Sequence, residues 1–195
     1  EILIGLVGSE MCIRDSIDLV QIVLETYKVR DGNIRLYKEN ILLKGFIKEI
    51  IEEMQPIAQK TNNTLEFIQQ RDIRVYADRI QLKRVIKNLI QNAISYGEPN
   101  FPIEVSIGEI PQYIVIKVKD YGAGISKTDI DKIFNKYYSA AKKFRKIGTG
   151  LGLYLALQII KSHNGELSVE SEEGNFTEFT IKLPAVMNIN LHYGE

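Results

Sequence analysis

The sequence predicts an α/β fold, a two-layer sandwich with helices on one face of a mixed, largely antiparallel sheet. Runs of alternating apolar and polar residues occur in adjacent pairs that read as hairpins, and stretches with apolar residues three or four apart separate them. The chain has 195 residues, 45% of them apolar, enough for one full core.

Leu19, Val23 and Tyr27 form a helical stripe within residues 17–30, which stops before Asp31-Gly32. "NIRLYKENILL" reads as a linker with a short strand. "KGFIKEIIEEMQPIAQK" reads as a helix with Phe46, Ile50 and Met54 on one face, bent or ended by Pro56. "TLEFI" and "IRVYA" are short strand patterns. Asp78 stands at the N-cap of a long helix whose buried stripe is Leu82, Ile86, Leu89 and Ala93. "IEVSIGE" and "YIVIKVKD" alternate with period two on either side of a turn at Pro111. After a long loop and another helix, "ELSVES" and "FTEFTIKL" form a second hairpin around Gly174.

Lys plus Arg and Asp plus Glu number 25 each, so no net field recruits nucleic acid or an anionic membrane. Cys12 is the single cysteine and His163 and His192 the two histidines, which excludes a disulfide framework and offers no zinc-ligand spacing. No run of 18 apolar residues predicts a transmembrane segment, and a reducing, cytoplasmic setting is expected, with membrane anchoring of the full protein left open. Residues 1–16 lack a basic leader and an A-x-A-type cleavage site. Their "VGSEMCIRDS" resembles translated adaptor sequence, so the natural chain is expected to begin near Ile17.

Four stretches carry the chemistry. In "KIGTGLGLYL", Gly148, Gly150 and Gly152 run into a helical pattern, which admits either a tight turn with a cap or a phosphate-holding loop at a helix N-terminus. It lacks the Lys-Ser or Lys-Thr pair of a Walker A loop and the preceding strand of a dinucleotide fingerprint. Gln81, Arg84, Asn88, Asn92 and Ser95 share one helical stripe, either a solvated face or a ligand surface. Asparagine is a poor helix former, and its amide oxygen suits Mg²⁺. Asp120 in "DYGAGI" is either a turn residue or an acceptor for an exocyclic amine. "IFNKYYS" reads as an aromatic core plug before a ligand stack.

Taken in order, these stretches resemble the ATP-binding domain of sensor histidine kinases, a Bergerat fold within the wider group of gyrase, Hsp90 and MutL. "NLIQNAISYG" is similar to the family's N box, "DYGAG" to its G1 box, "IFNKYY" to its F box and "GTGLGL" to its G2 box. "NGELSVESEEGNFTEFTIKLP" is similar to its closing hairpin. The resemblance covers about residues 38–184. Residues 17–37 resemble the end of the second helix of a dimerisation domain with its linker, and 185–195 form a tail.

The resemblance implies ATP and Mg²⁺ as cofactors, with Asn88 and Asn92 as catalytic positions. Asn92 would ligate the metal, with Asn88 beside it near the phosphates. Asp120 would accept from the adenine amine, Gly122 and Gly124 would let the backbone approach the base, Tyr96 would cover it, and Thr177 would lie near it. Gly148, Gly150, Leu151 and Gly152 would bring backbone amides to the phosphates, with Thr149 donating its hydroxyl. Residues 121–147 would be a lid. Lys136 and Lys146 are implied to bind ATP, and Lys142, Lys143, Arg145 or Lys146 would neutralise phosphate charge on closing.

Departures from the pattern shape the expected activity. Asn88 stands where hydrolysing relatives carry a glutamate. An amide cannot be a general base, so phosphoryl transfer to a histidine fits better than hydrolysis. Ser95 replaces a common Lys or Arg, and Phe176 stands where the hairpin often has glycine. No histidine precedes His163, which reads as a helix cap, so the family's phosphoacceptor is absent from this chain. The expected function is the catalytic part of a two-component sensor histidine kinase, a monomer as it stands. It would pass the ATP γ-phosphate to a histidine on a dimerisation domain for relay to a response regulator. A non-catalytic nucleotide-responsive interaction module and an anti-sigma-type serine kinase remain open, although the helical stripe at 17–30 argues against the latter.

Overall fold

The computed structural model describes residues 34–69, 71–138 and 150–185, so the stripe read at 17–30 and the tail beyond residue 185 lie outside the described residues. Strand alternation builds the sheet. Ile103, Val105 and Ile107 of β4 (Pro102–Ile110), Ile114, Ile116 and Val118 of β5 (Tyr113–Asp120), and Phe179, Ile181 and Leu183 of β7 (Phe176–Pro184) are all buried in one core. With β2 (Thr64–Gln69) and β6 (Glu166–Glu172) the strand order is β2-β4-β5-β7-β6. Only β2 and β4 are parallel. Both expected hairpins form. The first turns over Pro111 and Gln112, with Ile110 opposite Tyr113, and the second turns at Gly174, whose φ is +78°.

Three helices bury their apolar stripes in the core that the sheet's inner face lines: α1 (Leu43–Gln59), α2 (Arg79–Tyr96) and α3 (Gly152–Ser162). Two details go beyond the sequence reading. Strands β1 (Lys38–Leu42) and β3 (Arg74–Asp78) form their own antiparallel ribbon beside the main sheet. Pro56 does not end α1, which continues to Gln59. Its last turn is held from both sides: Ala58 is fully buried, and its carbonyl accepts the N–H groups of Thr61 and Asn63, both at 3.0 Å.

The start of α2 is the best-anchored point. Asp78 Oδ1 accepts the Gln81 N–H at 3.0 Å, a standard N-cap bond, and Oδ2 accepts the Tyr37 N–H at 2.8 Å. The Asp78 N–H in turn donates to Nε2 of His163 at 2.9 Å. His163 is the C-cap of α3, 3% exposed, and its Nδ1 lies 2.8 Å from the Ile159 carbonyl. Because Nε2 accepts, the proton sits on Nδ1 and the ring is the neutral Nδ1–H tautomer. The cap expected from sequence is therefore also a clasp between α2 and α3. On the outer side, Lys83 pairs with Glu49 and Glu53, joined by Arg79–Glu49 and Lys87–Glu53 pairs; solvent screens exposed pairs of this kind, so they add little to stability.

Replacing His163 by Ala is expected to cost about 2–3 kcal/mol in urea unfolding, because it orphans a buried N–H and removes packed volume. Burial lowers the His163 pKa from its ordinary 6.5, so the fold favours the neutral ring. Its contribution is complete above pH 6.5 and is lost as the pH falls through the lowered value. The parent should lose stability on acidification in that window more steeply than His163→Ala.

Candidate functional site

Strand β5 ends on Asp120, which is 3% exposed and in register with Thr177 of β7. In an antiparallel pair, opposite residues share a face, so both side chains belong to the inner layer at one end of the sheet. Asp120 Oδ1 is buried without a protein hydrogen-bond partner. Burial raises its pKa to about 7. Thr177 is also buried, and its Oγ1 lies 3.1 Å from Ser171 Oγ. Phe176 alternates to the opposite face, where Lys119 Nζ sits 4.9 Å from its ring and 4.8 Å from that of Tyr121. The hairpin residue that departs from the family pattern thus points away from Thr177.

Gly122 and Gly124 are explained first by the protein's own backbone. A Cβ on Gly122 would collide with the Tyr96 carbonyl at the end of α2, where Gly97 and Gly122 form a bridge. Gly124 has φ +62°, and a Cβ there would overlap the Glu172 carbonyl at the hairpin turn. Both glycines therefore let the loop after β5 pack tightly, which gives them a reason independent of any base. Tyr96 is half-buried at the same junction, and its carbonyl accepts the Ala123 N–H at 3.2 Å.

The second half of the site lies where α2 meets the start of α3. The stripe Gln81, Arg84, Asn88, Asn92 and Ser95 is half-buried along its length, neither fully solvated nor core. Asn88 Nδ2 is buried without a partner, and Asn88 Oδ1 occupies the space a Cβ on Gly152 would need. Arg84, Val85, Asn88, Gly152, Leu155 and Ile159 line a small cleft between the two helices. α3 begins after Leu151, which is buried and whose apolar side chain makes no cap hydrogen bond. A helix N-terminus beside an amide donor is an arrangement that suits an anion. Gly150, at φ +64°, packs against the Tyr137 and Tyr138 backbone and accepts the Tyr137 N–H at 3.0 Å.

The aromatic segment divides. Ile133 is buried, and Phe134 and Tyr138 pack on the core, with Phe134 edge-on to Phe179 at 6.4 Å. Tyr137 is 66% exposed and stands outside the plug, with Lys136 Nζ 5.2 Å from its ring and 6.0 Å from that of Tyr154. Gly148, Thr149, Lys142, Lys143, Arg145 and Lys146 lie outside the described residues. Among the described residues no group of three or more His, Cys, Asp or Glu could hold a metal ion. Sequence reasoning missed Ser171, whose one signal is a polar residue in the inward phase of β6 after Leu167 and Val169.

Residues 77–187, more than half of the chain, match the family model described as histidine kinase-, DNA gyrase B-, and HSP90-like ATPase. The chain belongs to this family. ATP is accordingly the nucleotide expected of the site. Sensor histidine kinase WalK of Bacillus subtilis (strain 168) is 32% identical over 174 residues, 86% of this chain and 28% of WalK. Sensor protein kinase WalK of Staphylococcus aureus is 33% identical over 172 residues, 86% of this chain and 41% of that protein. The chain thus spans less than half the length of these relatives. The catalytic domain of histidine kinase ThkA superposes with a TM-score of 0.68 at 28% identity, covering 77% of this chain and 97% of ThkA's. The Acinetobacter baumannii histidine kinase AdeS, at 23% identity and TM-score 0.75, covers 89% of this chain and 80% of its own, a likeness of fold. The expected Bergerat fold is the fold observed. Among the described residues no helix is long and apolar enough to cross a membrane.

Because the Asp120 pKa is raised from 3.8 to about 7, the fold favours the neutral acid, and that stability is lost as the pH rises through about 7. Asp120→Asn, which stays neutral, is expected to be more stable than the parent at pH 8, by up to about 4 kcal/mol. The gap should close by pH 4, as measured by urea unfolding at both values.

Proposed function

We propose that residues 38–184 form the ATP-binding catalytic domain of a two-component sensor histidine kinase, with residues 17–37 as the end of its dimerisation helix and the linker. The observation that carries this reading is the buried, unpartnered oxygen of Asp120 at the end of a central strand. Such an acceptor is costly unless a ligand donor meets it, and the exocyclic amine of adenine is a donor of the right kind. On this reading Thr177 flanks the base, Tyr96 covers it, and Gly122 and Gly124 close the loop beside it. Asn88, Gly148, Thr149, Gly150, Leu151 and Gly152 hold the phosphates, with Lys136 and Lys146 adding charge. The names of the WalK and ThkA relatives support the kinase reading.

Mg²⁺ fits the donor set. With no cluster of carboxylates or imidazoles among the described residues, Asn92 would contribute one neutral oxygen, leaving phosphate oxygens and water to complete the coordination. When bound, the ion offsets the charge of the phosphates. Asn88 cannot deprotonate water, so the chain's residues position the nucleotide rather than activate hydrolysis. The γ-phosphoryl group passes to an imidazole nitrogen of a histidine on a dimerisation domain; its bond to the ADP oxygen breaks as the new P–N bond forms. An aspartate of a response regulator receives it next. His163 is not that acceptor, since both ring nitrogens are engaged inside the fold. As a consumer of ATP, the domain works in the cytoplasm.

Calorimetric titration with a non-hydrolysable ATP analogue at pH 8 tests this. The parent should bind, Asp120→Asn should lose roughly 10- to 100-fold in affinity, and Asn92→Ala should lose only the Mg²⁺-dependent part. Mg²⁺ without nucleotide should give no binding heat. Binding without phosphotransfer to any supplied dimerisation domain would favour the interaction-module reading, and no binding by the parent would sink the nucleotide site itself.

A further inference from the structure

Ser171, Thr177 and Asp120 stand in a row across β6, β7 and β5 at one end of the sheet, Ser171 opposite Thr177 and Thr177 opposite Asp120. Ser171 Oγ has three polar neighbours: the Phe176 carbonyl oxygen at 2.6 Å, the Ile125 N–H at 2.9 Å and Thr177 Oγ1 at 3.1 Å. The Ser171–Thr177 contact has no direction of its own, but the other two partners impose one. A carbonyl only accepts, so the single Ser171 proton goes to Phe176. An amide N–H only donates, so Ile125 occupies one Ser171 lone pair. What remains on Ser171 is an acceptor site, and the Thr177 hydroxyl donates its proton to it.

We infer that Ser171 is a specificity-determining positioning residue: by holding the Thr177 proton, it leaves Thr177 Oγ1 an acceptor beside the Asp120 carboxylate and so favours a purine with an amino group at C6 over one with an oxo group. This rests on the nucleotide-site reading above. A threonine hydroxyl free to rotate donates or accepts as its neighbour requires and discriminates little. With that proton committed, and with Asp120 ionised at pH 8, an oxo oxygen at C6 meets lone pairs on Thr177 Oγ1 and on the unpartnered Asp120 Oδ1, whereas an amino group is matched. A site built for donors rejects an analogue that leaves its buried polar atoms unmatched. Ser171 acts through Thr177. The loop beside the recess has a second tie to the same hairpin, from the Gly174 N–H to the Ala123 carbonyl at 2.9 Å, so removing the Ser171 hydroxyl does not by itself release the loop.

The test is calorimetry on the full chain at pH 8 with ADP and with inosine diphosphate, which carries the oxo group at C6. The parent is expected to prefer ADP at least ten-fold. Ser171→Ala should narrow that preference roughly three- to ten-fold, the worth of one hydrogen bond, and Ser171→Thr should restore it. Equal weakening of both ligands by Ser171→Ala, with the preference intact, would mean a merely structural hydroxyl and overturn the proposal. Should Ser171→Ala fail to fold, Thr177→Val keeps the bulk and both Ser171 backbone bonds, and an undiminished ADP preference there overturns the proposal equally. A parent that binds both ligands alike also overturns it while leaving the nucleotide site standing; a parent that binds neither removes the nucleotide site itself.

Discussion

The hydrogen bond between the Asp78 N–H and His163 Nε2 fixes the two helices that carry the site. Asp78 begins α2 and His163 ends α3, so one buried contact between residues 85 apart sets how the helices lie against each other. Its consequence is felt where α2 passes the start of α3: Asn88 and Gly152 fit only because the helices approach there closely enough to exclude a Cβ. The contact also fixes the histidine tautomer, and the Ile159 carbonyl then completes the ring's partners. A histidine used in this way is structural.

At the other end of the site the fold tolerates an unfavourable feature. Asp120 is held out of water by the strands around it, and one of its oxygens has no protein donor. Nearby Thr177, Ser171, Phe176 and Ile125 are satisfied among themselves. The contrast between a saturated network and one unsatisfied carboxylate oxygen beside it is what marks this edge as a place for a ligand.

Features with local causes were legible in the sequence. The Asp78 cap, the stripe Leu82, Ile86, Leu89 and Ala93, and both hairpins follow from periodicity and turn chemistry within a few residues. The β1–β3 ribbon was not legible, because a short strand pattern does not say which sheet it will join. The continuation of α1 past Pro56 depended on Ala58 being buried, a tertiary fact that overrides the local penalty. The resemblance gave Gly122 and Gly124 a place beside a base, whereas the crowding that the fold shows at them comes from the Tyr96 and Glu172 backbone, which no local stretch of sequence brings near. Two of the partners of Ser171, Phe176 and Thr177, lie across its own hairpin, but the third, Ile125, comes from the loop after β5, which only the fold brings near.

The strand order has a consequence for biosynthesis. β7 is inserted between β5 and β6, so until residue 184 has left the ribosome the hydrogen-bonding edge of β5 is unpaired and its apolar residues Ile114, Ile116 and Val118 lack one neighbour. Asp120 meets Thr177, 57 positions further along the chain, only in that closure. The Asp120–Thr177 pairing therefore assembles only once β7 has emerged, and chains that stop short of β7 expose the unpaired edge of β5.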